Sequence, residues 1–458
     1  MTDLARLPGD GRYELSLQDH VDASARTVRR AAALLLCTVV FFLSAYAGLL
    51  NDYLGVAIVT GALVLGFPAA GRSSLASVIV VTGFAIFAMP FIGLVYVGEL
   101  LYTAWFALFV IFSIVLDVYG DPPPRPAAPL GHGNADMMFI VAYLVLGLIL
   151  WGDEGLRQIS FYAGWALALV HLERIHARTT AMLPRVMGLM IYVAVIGYFA
   201  AVLWGGGGRI VQLSFMLAPI LLTAYYRTFR LNIIVFALAA VGLSFIGRVL
   251  RFGWSDGLQG LSVDSGASPI TITSYLWETK AQSLSIGSIV DQWALLFLNW
   301  FPRELWPNKP LGVGTTFVDV VFGRAGVSAE HNLAIGIFGE HMFFLPHAWI
   351  VSVALLAGVI ILMRRALIRV GAPYRAPVIA FDVWLMTLFW GGMAAFAARV
   401  WFALIPIIPY VMLIRWLDRR KRLVQEVPGS AGAPDNGRDT SIEVTGGDAS
   451  PTTRGLTL

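Results

Sequence analysis

The run AAALLLCTVVFFLSAYAGLL at residues 31–50 contains no charged side chain along its whole length. A helix needs roughly 20 consecutive apolar residues to cross the hydrocarbon core of a bilayer, so this run predicts a membrane-spanning helix. Similar runs follow along the chain and predict an all-α, polytopic integral membrane protein of about twelve spans. The predicted spans are 31–50, 53–70, 74–98, 100–117, 137–151, 158–172, 184–204, 209–225, 231–248, 346–363, 376–398 and 400–414.

The composition agrees with this interpretation. Of 458 residues, 58% are hydrophobic and 13% are charged, and the mean hydropathy is +0.75. Soluble proteins carry about 25% charged residues, so a water-soluble enzyme, a disordered chain and a disulfide-stapled secreted domain are excluded. The single cysteine, Cys37, permits no disulfide and no cysteine-based metal site. The net charge of +4 lies in short clusters between apolar runs, so no nucleic-acid partner is expected.

Arginine and lysine placement predicts the orientation. Positive side chains are enriched in cytoplasmic loops, and most of the 32 lysine and arginine residues fall on one side if the N-terminus is cytoplasmic. The C-terminus is then cytoplasmic as well. The predicted organisation is a cytoplasmic segment (1–30), nine spans (31–248), a long extracytoplasmic loop with short re-entrant or interfacial helices (249–345), three spans (346–414) and a disordered cytoplasmic tail (415–458).

The long outer loop contains an apolar stretch at residues 287–301 that is too short to span a bilayer. Such a length indicates a re-entrant or interfacial helix. Trp293, Trp300, Phe301 and Trp306 follow one another closely. They fit either an aromatic belt at the bilayer surface or a platform on which sugar rings stack, and the sequence leaves both interpretations open.

A proline-rich stretch comes next. Pro302, Pro307 and Pro310 exclude a regular helix and predict an extended, rigid segment that carries Arg303 and Lys309 beside the membrane. A guanidinium binds phosphate through two parallel hydrogen bonds, and an ammonium binds it as a point charge. The two cations therefore indicate a phosphate or pyrophosphate clamp, with a lipid-headgroup anchor as the alternative.

Two Glu-His pairs lie further along the same loop, Glu330–His331 and Glu340–His341. Adjacent residues on a helix do not share a face, so each pair offers one group at a time to a site. Histidine titrates near neutrality and suits a general base, although a polar residue at a surface or helix end fits each position too. The spacing matches no known zinc pattern, so a metal is not expected.

A known family combines these features. The segment FPRELWPNKP at residues 301–310, the downstream element Ile337-Phe-Gly-Glu and the spacing of Arg303 to Gly314, which matches an Arg-X10-Gly motif, stand in one late outer loop. In this loop and in its hydrophobic plan, the chain resembles the Wzy-type polymerases of O-antigen and related bacterial polysaccharides. Those enzymes join oligosaccharide repeat units that are carried on undecaprenyl diphosphate.

The resemblance implies an activity. It implies a metal-independent, cofactor-free inverting glycosyl transfer in the bacterial cytoplasmic (inner) membrane, on a scaffold resembling C-type glycosyltransferases. A hydroxyl of an incoming lipid-linked unit attacks the anomeric carbon of the growing chain, and undecaprenyl diphosphate leaves. Membrane lipids, a chain-length regulator and a flippase are the implied partners. The implied catalytic residues are Arg303, His331, His341, Glu330 and Glu340, and the implied substrate-binding residues are Lys309, Arg251, Arg248, Arg324, Trp300, Trp306 and Gly314.

Other functions fit the sequence as well. A classical C-type transferase and an O-antigen ligase share this chemistry, and only the acceptor separates the ligase from a polymerase. A transporter or lipid flippase would place ionisable side chains inside spans. Asp382, well inside a predicted span, is the strongest point for transport, and Glu99, Asp117 and Arg399 are weaker ones.

Overall fold

The fold is described here from a computed structural model, and every regular element in the described part of the chain is a helix. This confirms the predicted all-helical class for those residues. The structure describes residues 39, 43, 46, 47, 74–83, 133–150, 152, 154–179, 181–202, 209–225, 269, 272, 273, 275, 276, 279, 284–303, 305–322, 333–371 and 374–426.

The structure describes the following helices. They are α1 Ser74–Gly83, α2 Gly133–Ile149, α3 Glu154–Arg178, α4 Met182–Val202, α5 Arg209–Tyr225, α6 Ile286–Leu298, α7 Val313–Phe322, α8 Gly336–Phe344, α9 Trp349–Gly371 and α10 Ala376–Glu426. The chain divides into two compact units, Met1–Ile414 and Arg415–Leu458. In the second unit the described residues, 415–426, are helical.

The core of the first unit is built around α3, whose residues 160–170 are all buried. Trp165 donates from Nε1 to the Tyr192 hydroxyl at 2.7 Å, and that hydroxyl donates to the Phe215 carbonyl at 2.5 Å. Trp384 of α10 packs edge-on against Trp165 at 5.7 Å and against Phe215 at 5.4 Å between ring centroids. Aromatic side chains therefore lock α3, α4, α5 and α10 together.

Apolar side chains also cover the outside of the helices. Ile149 is 73% exposed at the end of α2, and Met182 and Leu183 are 79% and 70% exposed at the start of α4. Two helical segments of the described residues, Val351–Gly371 and Ala376–Leu417, are long and apolar enough to cross a membrane by length and composition. Exposed apolar patches of this size are rare on water-soluble monomers, so both observations point to association with a membrane.

Several predicted spans coincide with helices. The helices α2, α3, α4, α5 and α9 occupy the spans predicted at 137–151, 158–172, 184–204, 209–225 and 346–363, and α1 occupies the start of 74–98. The spans predicted at 53–70, 100–117 and 231–248 lie outside the described residues. In the span at 31–50 only residues 39, 43, 46 and 47 are described, and all four are helical.

The last two predicted spans need a correction. A boundary was expected at Arg399, but α10 continues through that residue, because the Arg399 guanidinium donates to the Ala395 carbonyl of its own helix at 2.7 Å. The interruption lies at Gly392, with φ 83° and ψ −174°. The helix also continues to Glu426, so residues 415–426 are not part of an unstructured tail. Leucine, arginine and lysine favour helix in this stretch.

Candidate functional site

The first component of the site is α6, within the loop that was predicted to lie outside the membrane. Ser285 caps the helix by accepting the Ser288 N–H at 3.2 Å, and Asn299 ends it. One face, with Gln292, Leu295 and Leu296, is buried. The short helix predicted at 287–301 is therefore present as Ile286–Leu298.

The proline-rich stretch after α6 folds into consecutive turns, so the prediction of an extended segment is wrong. The Pro302 carbonyl accepts the N–H groups of Leu305 at 3.2 Å and Trp306 at 3.1 Å, and the Trp306 carbonyl accepts the Lys309 N–H at 2.9 Å. Proline excludes a helix here, but its fixed φ suits the second position of a turn, which Pro307 occupies. We call residues 301–312 the cation turn.

The cation turn brings Arg303 and Lys309 together. The Lys309 ammonium donates to the carbonyls of Asn299 at 2.5 Å and Phe301 at 2.9 Å. The exposed Arg303 guanidinium donates to the Lys309 carbonyl at 2.9 Å. Burial, and then the charge of Arg303, lower the pKa of Lys309. The turn thus presents two adjacent positive charges held by main-chain carbonyls.

Three side-chain hydrogen bonds fix α6 and the cation turn. Asn299 Nδ2 donates to the Ala394 carbonyl at 2.7 Å, two residues beyond the interruption of α10. Trp401 Nε1 donates to the Leu296 carbonyl at 2.8 Å. Gln292 Nε2 donates to the Leu311 carbonyl at 2.7 Å, which closes the far end of the turn. The cation turn is therefore joined to α6, and the end of α6 is joined to α10 close to its interruption.

The short helix α8 is buried at every position. Gly336, at φ 70°, lets it approach α10 closely, since a Cβ there would lie 2.9 Å from the Pro269 Cβ and 3.1 Å from the Phe389 carbonyl oxygen. A side chain at this position would be strained and would clash. The close approach places Glu340 and His341 inside the protein.

Glu340 meets α10 at its interruption. Its Oε2 accepts the Met393 N–H at 2.7 Å, and a Cβ on Gly392 would lie 2.5 Å from the same oxygen. Its Oε1 is buried, and none of the described residues forms a hydrogen bond with it. Burial raises the pKa of Glu340 to about 8, because burial disfavours the charged form. The carboxyl group is therefore neutral at neutral pH and can exchange a proton close to physiological pH.

His341 points to a different neighbour. Its Nδ1 lies 2.6 Å from the Ser352 hydroxyl, and its ring packs edge-on against Trp293 at 6.1 Å and Phe344 at 5.4 Å. Its Nε2 is buried and has no hydrogen-bond partner in the described part of the chain. Burial lowers the pKa of His341 to about 3, so the ring is neutral. Glu340 and His341 therefore do diverge, as expected for neighbours on a helix.

The other predicted site residues fall into two groups. Trp300 stacks on Phe301 at 4.0 Å between ring centroids, Trp306 is half-buried, and Gly314 is buried in the first turn of α7. The remaining predicted residues, Glu330, His331, Arg248, Arg251 and Arg324, lie outside the described residues. Of the predicted catalytic residues, the structure describes Arg303, Glu340 and His341.

Two buried ion pairs were not predicted from the sequence. Arg364 donates to both oxygens of Asp382 at 2.9 and 3.2 Å, and the Ser74 hydroxyl donates to the same carboxylate. Arg174 donates from Nη1 to one oxygen of Asp136, Oδ2. A charged group inside an apolar span is itself a signal that a partner is needed. In the structure that partner of Asp382 is Arg364, and the transport alternative stays a prediction.

A third buried acid, Glu173 on α3, holds the start of α10. Its two oxygens accept the main-chain N–H groups of Arg375 at 2.6 Å and Ala376 at 2.7 Å. The first N–H groups of a helix have no partner within the helix, and a carboxylate satisfies them and complements the helix dipole. This role was not predicted, because the partners are 202 and 203 residues apart in sequence.

Comparison of the chain with protein-family models, curated proteins and solved structures finds no match. Among the described residues, no group of three or more histidine, cysteine, aspartate or glutamate side chains is arranged to hold a metal ion.

Proposed function

We propose that the protein is a membrane glycosyltransferase that polymerises polyprenyl-diphosphate-linked oligosaccharide repeat units into a surface polysaccharide. The reaction takes place at the outer face of the bacterial cytoplasmic membrane, and both termini are cytoplasmic. The resemblance of the 301–341 region to Wzy-type polymerases supplies the reaction class. The geometry around the interruption of α10 supports the assignment of roles.

One observation carries the proposal. Glu340 bonds to the N–H of Met393, and Asn299, from which the cation turn departs, bonds to the carbonyl of Ala394. Glu340 and Asn299, whose main-chain carbonyl accepts the Lys309 ammonium, therefore bond to two consecutive residues of one helix. Cations that stabilise a leaving group and a nearby proton acceptor are the two elements that this glycosyl transfer requires.

The roles follow from the chemistry. Arg303 stabilises the charge that develops on the diphosphate as the bond between the anomeric carbon and the diphosphate oxygen breaks. The acceptor hydroxyl forms the new glycosidic bond with inversion and gives its proton to the ionised form of Glu340, which is the minor form at neutral pH because the pKa is about 8. A pKa near the working pH suits a general base. Because Glu340 is buried, the acceptor reaches it only after the residues that cover it move. His331, His341 and Glu330 remain the other candidate bases.

Contacts between distant helices support the predicted topology. Glu173 and Arg375, which are in contact, belong to two segments that were both predicted to be cytoplasmic. Asn299 and Ala394, which are also in contact, are both predicted to lie toward the outer face. An incorrect orientation of one span would place partners such as these on opposite sides of the membrane.

The length of α10 supports two spans at the end of the chain. A straight helix over Ala376–Leu417, 42 residues, would be about 63 Å long, whereas the hydrocarbon core is about 30 Å thick. One straight helix of this length does not fit within the bilayer. The interruption at Gly392 divides it into segments that can each remain in the membrane.

The test is the variant Arg303→Ala in a host whose surface polysaccharide depends on this protein. Arg369→Ala, which removes an exposed arginine at the end of α9, is the matched control. We expect Arg303→Ala to leave single repeat units where a ladder of chain lengths stood, at an unchanged protein level, and Arg369→Ala to keep the ladder. Long chains from Arg303→Ala would refute the proposal.

One observation favours a second function, the transport of a lipid-linked sugar. An interrupted helix with a buried carboxyl group at the break is typical of sites where transporters bind substrates and ions, and Glu340 at Gly392 has this form. The purified protein in sealed vesicles separates the two functions. Movement of a labelled lipid-linked oligosaccharide across the bilayer without chain growth supports transport. Growth of the chain supports polymerisation, and transfer to a different acceptor supports an O-antigen ligase-like transferase.

A further inference from the structure

We infer that Lys309 and Asn299 are positioning residues, and that Arg303 is the one member of the cation pair that contacts the anion. The inference deepens the proposed function and rests on it. It replaces a clamp of two equal cations by one anion-binding group, the Arg303 guanidinium, and two residues that hold it in place. The bound anion is a diphosphate group.

The ammonium of Lys309 already donates hydrogen bonds to main-chain carbonyls. Of its three N–H groups, one donates to the Asn299 carbonyl at 2.5 Å and one to the Phe301 carbonyl at 2.9 Å. Both carbonyls belong to residues at or just before the N-terminal end of the cation turn, whereas Lys309 lies near its C-terminal end. The side chain therefore closes the turn from within, and it would have to give up these bonds to surround an anion.

The guanidinium of Arg303 has the opposite arrangement. It is exposed, and it donates through one Nη to the carbonyl of Lys309 at 2.9 Å. A guanidinium has five N–H groups in a planar fork, so one bond to a main-chain carbonyl orients the plane and leaves an edge for a phosphate. Arg303 is therefore oriented by the main chain of Lys309.

Asn299 connects Lys309 and Arg303 to α10. Its side-chain amide donates to the Ala394 carbonyl at 2.7 Å, while its main-chain carbonyl accepts the Lys309 ammonium. The path from α10 to the guanidinium is thus Ala394, Asn299, Lys309 and Arg303, with a hydrogen bond at each step. Removal of either middle residue frees the guanidinium without removing it.

The experiment measures the affinity of the full-length protein in detergent for inorganic pyrophosphate, by the rise in melting temperature with ligand concentration. Each variant is compared with its own unliganded melting temperature, so a general loss of stability does not count. The variants are Arg303→Ala, Lys309→Met and Asn299→Asp, with the doubles that combine Arg303→Ala with each of the others. Asn308→Asp, in the same turn and exposed, introduces the same charge as Asn299→Asp and is its control.

We expect Arg303→Ala to abolish the pyrophosphate effect. Lys309→Met and Asn299→Asp should each weaken affinity about tenfold, because the guanidinium is no longer held in one orientation, and Asn308→Asp should weaken it less. In the Arg303→Ala background neither second change should have a further effect, since a residue that acts through Arg303 is not additive with it. A pyrophosphate effect that survives Arg303→Ala and disappears with Lys309→Met would overturn the inference.

Failure of the inference can be distinguished from failure of the proposed function. In one case, chain growth requires Arg303, but the effects of Asn299→Asp and Lys309→Met add to those of Arg303→Ala. This result contradicts the positioning roles and leaves the proposed function standing. Pyrophosphate binding that follows the expected pattern in a protein that extends no chain contradicts the polymerase alone, and the positioning roles stand.

Discussion

Two buried glutamates hold the two halves of α10, and they do so differently. Glu173 binds the start of the helix with both oxygens, at 2.6 and 2.7 Å from two successive main-chain nitrogens. Glu340 binds the restart of the helix beyond Gly392 with one oxygen, at 2.7 Å from the Met393 nitrogen, and its other oxygen is buried without a partner among the residues that the structure describes. A glutamate thus serves as a helix cap twice. Both oxygens of Glu173 accept hydrogen bonds, whereas one oxygen of Glu340 does, and we call Glu340 the half-satisfied cap.

The difference separates a structural role from a chemical one. A buried polar atom without a hydrogen bond costs free energy, so native proteins keep few of them, and those that remain often belong to functional sites. Burial raises the pKa of Glu340 to about 8, close to the pH at which a base must work. We therefore expect changes at Glu173 to affect stability, and changes at Glu340 to affect activity.

The largest effect is expected from Gly392→Ala. The new Cβ would lie 2.5 Å from Glu340 Oε2, on a residue with φ 83°. Strain at a left-handed residue and the displacement of a buried carboxyl group should together lower the free energy of unfolding by about 3 kcal/mol. The melting temperature in detergent measures this loss.

Gly358→Ala on α9 is the matched control. Apart from the nearby backbone of α9 itself, no atom of the described residues lies within 4 Å of the position of its Cβ. Alanine is also the better helix former, so the melting temperature should stay the same or rise. If both variants melt at the same temperature as the wild type, the contact between Glu340 and Gly392 is not as close as described, and the comparison of the two caps fails.

The second prediction exchanges each acid for its amide. Glu173→Gln places an NH2 group against one of two main-chain donors and should cost about 2 kcal/mol of stability with little effect on chain growth. In Glu340→Gln the side-chain oxygen can still accept the Met393 N–H, and the NH2 group can take the position of Oε1, which has no partner among the described residues. It should melt close to the wild type and fail to extend chains. The reverse pattern, with Glu173→Gln inactive and Glu340→Gln active, would exchange the two roles.

The sequence predicts the helices well, because an apolar run of sufficient length has few other ways to satisfy its main chain in a membrane. It predicts the interruption of α10 poorly. Arg399 was expected to end a span because it is charged, but its guanidinium folds back onto Ala395. The actual interruption, at Gly392, is held by Glu340, and that contact joins residues 53 apart in the chain. A reading of local hydropathy cannot detect it.

Arg303, Lys309 and Glu340 were proposed as site residues from their chemistry and from the resemblance, and their roles stay predictions. The burial of Glu340 was not predicted, because a glutamate beside a histidine in a long loop is usually exposed. The prolines excluded a helix correctly, but the turns depend on carbonyl acceptors such as that of Pro302, which every residue carries and no sequence pattern marks.

The third prediction concerns pH. The pKa of Glu340 is raised from its ordinary value of 4.5 to about 8, so the folded state holds a proton that the unfolded state has lost, and stability falls as pH rises from 4.5 to 8. The pKa of His341 is lowered from 6.5 to about 3, so stability rises from pH 3 to 6.5. The two effects oppose each other between pH 4.5 and 6.5. Above pH 6.5 the effect of Glu340 remains, at up to about 1.4 kcal/mol per pH unit.

The melting temperature between pH 6.5 and 8 measures this effect, with Glu340→Gln and Glu173→Gln as the paired variants. We expect the fall in the wild type and in Glu173→Gln, and a flatter curve in Glu340→Gln. If the Glu340→Gln curve is as steep as that of the wild type, another group causes the fall in melting temperature. Glu340 then does not titrate with a raised pKa in this pH range.

The smallest effect is expected from Ser352→Ala, which removes the hydroxyl 2.6 Å from His341 Nδ1. His341 then loses its one described partner, but its pKa, lowered to about 3, keeps the ring neutral, and the cost should be about 1 kcal/mol of stability. If Glu340 is the base, chain length on a gel stays the same, and Ser352→Thr restores the melting temperature. Loss of the ladder in Ser352→Ala at an unchanged protein level would mean that His341 must be held in one orientation for chemistry. The base would then be the histidine, and the unpartnered oxygen of Glu340 would be a cost of folding α8 against the interruption of α10.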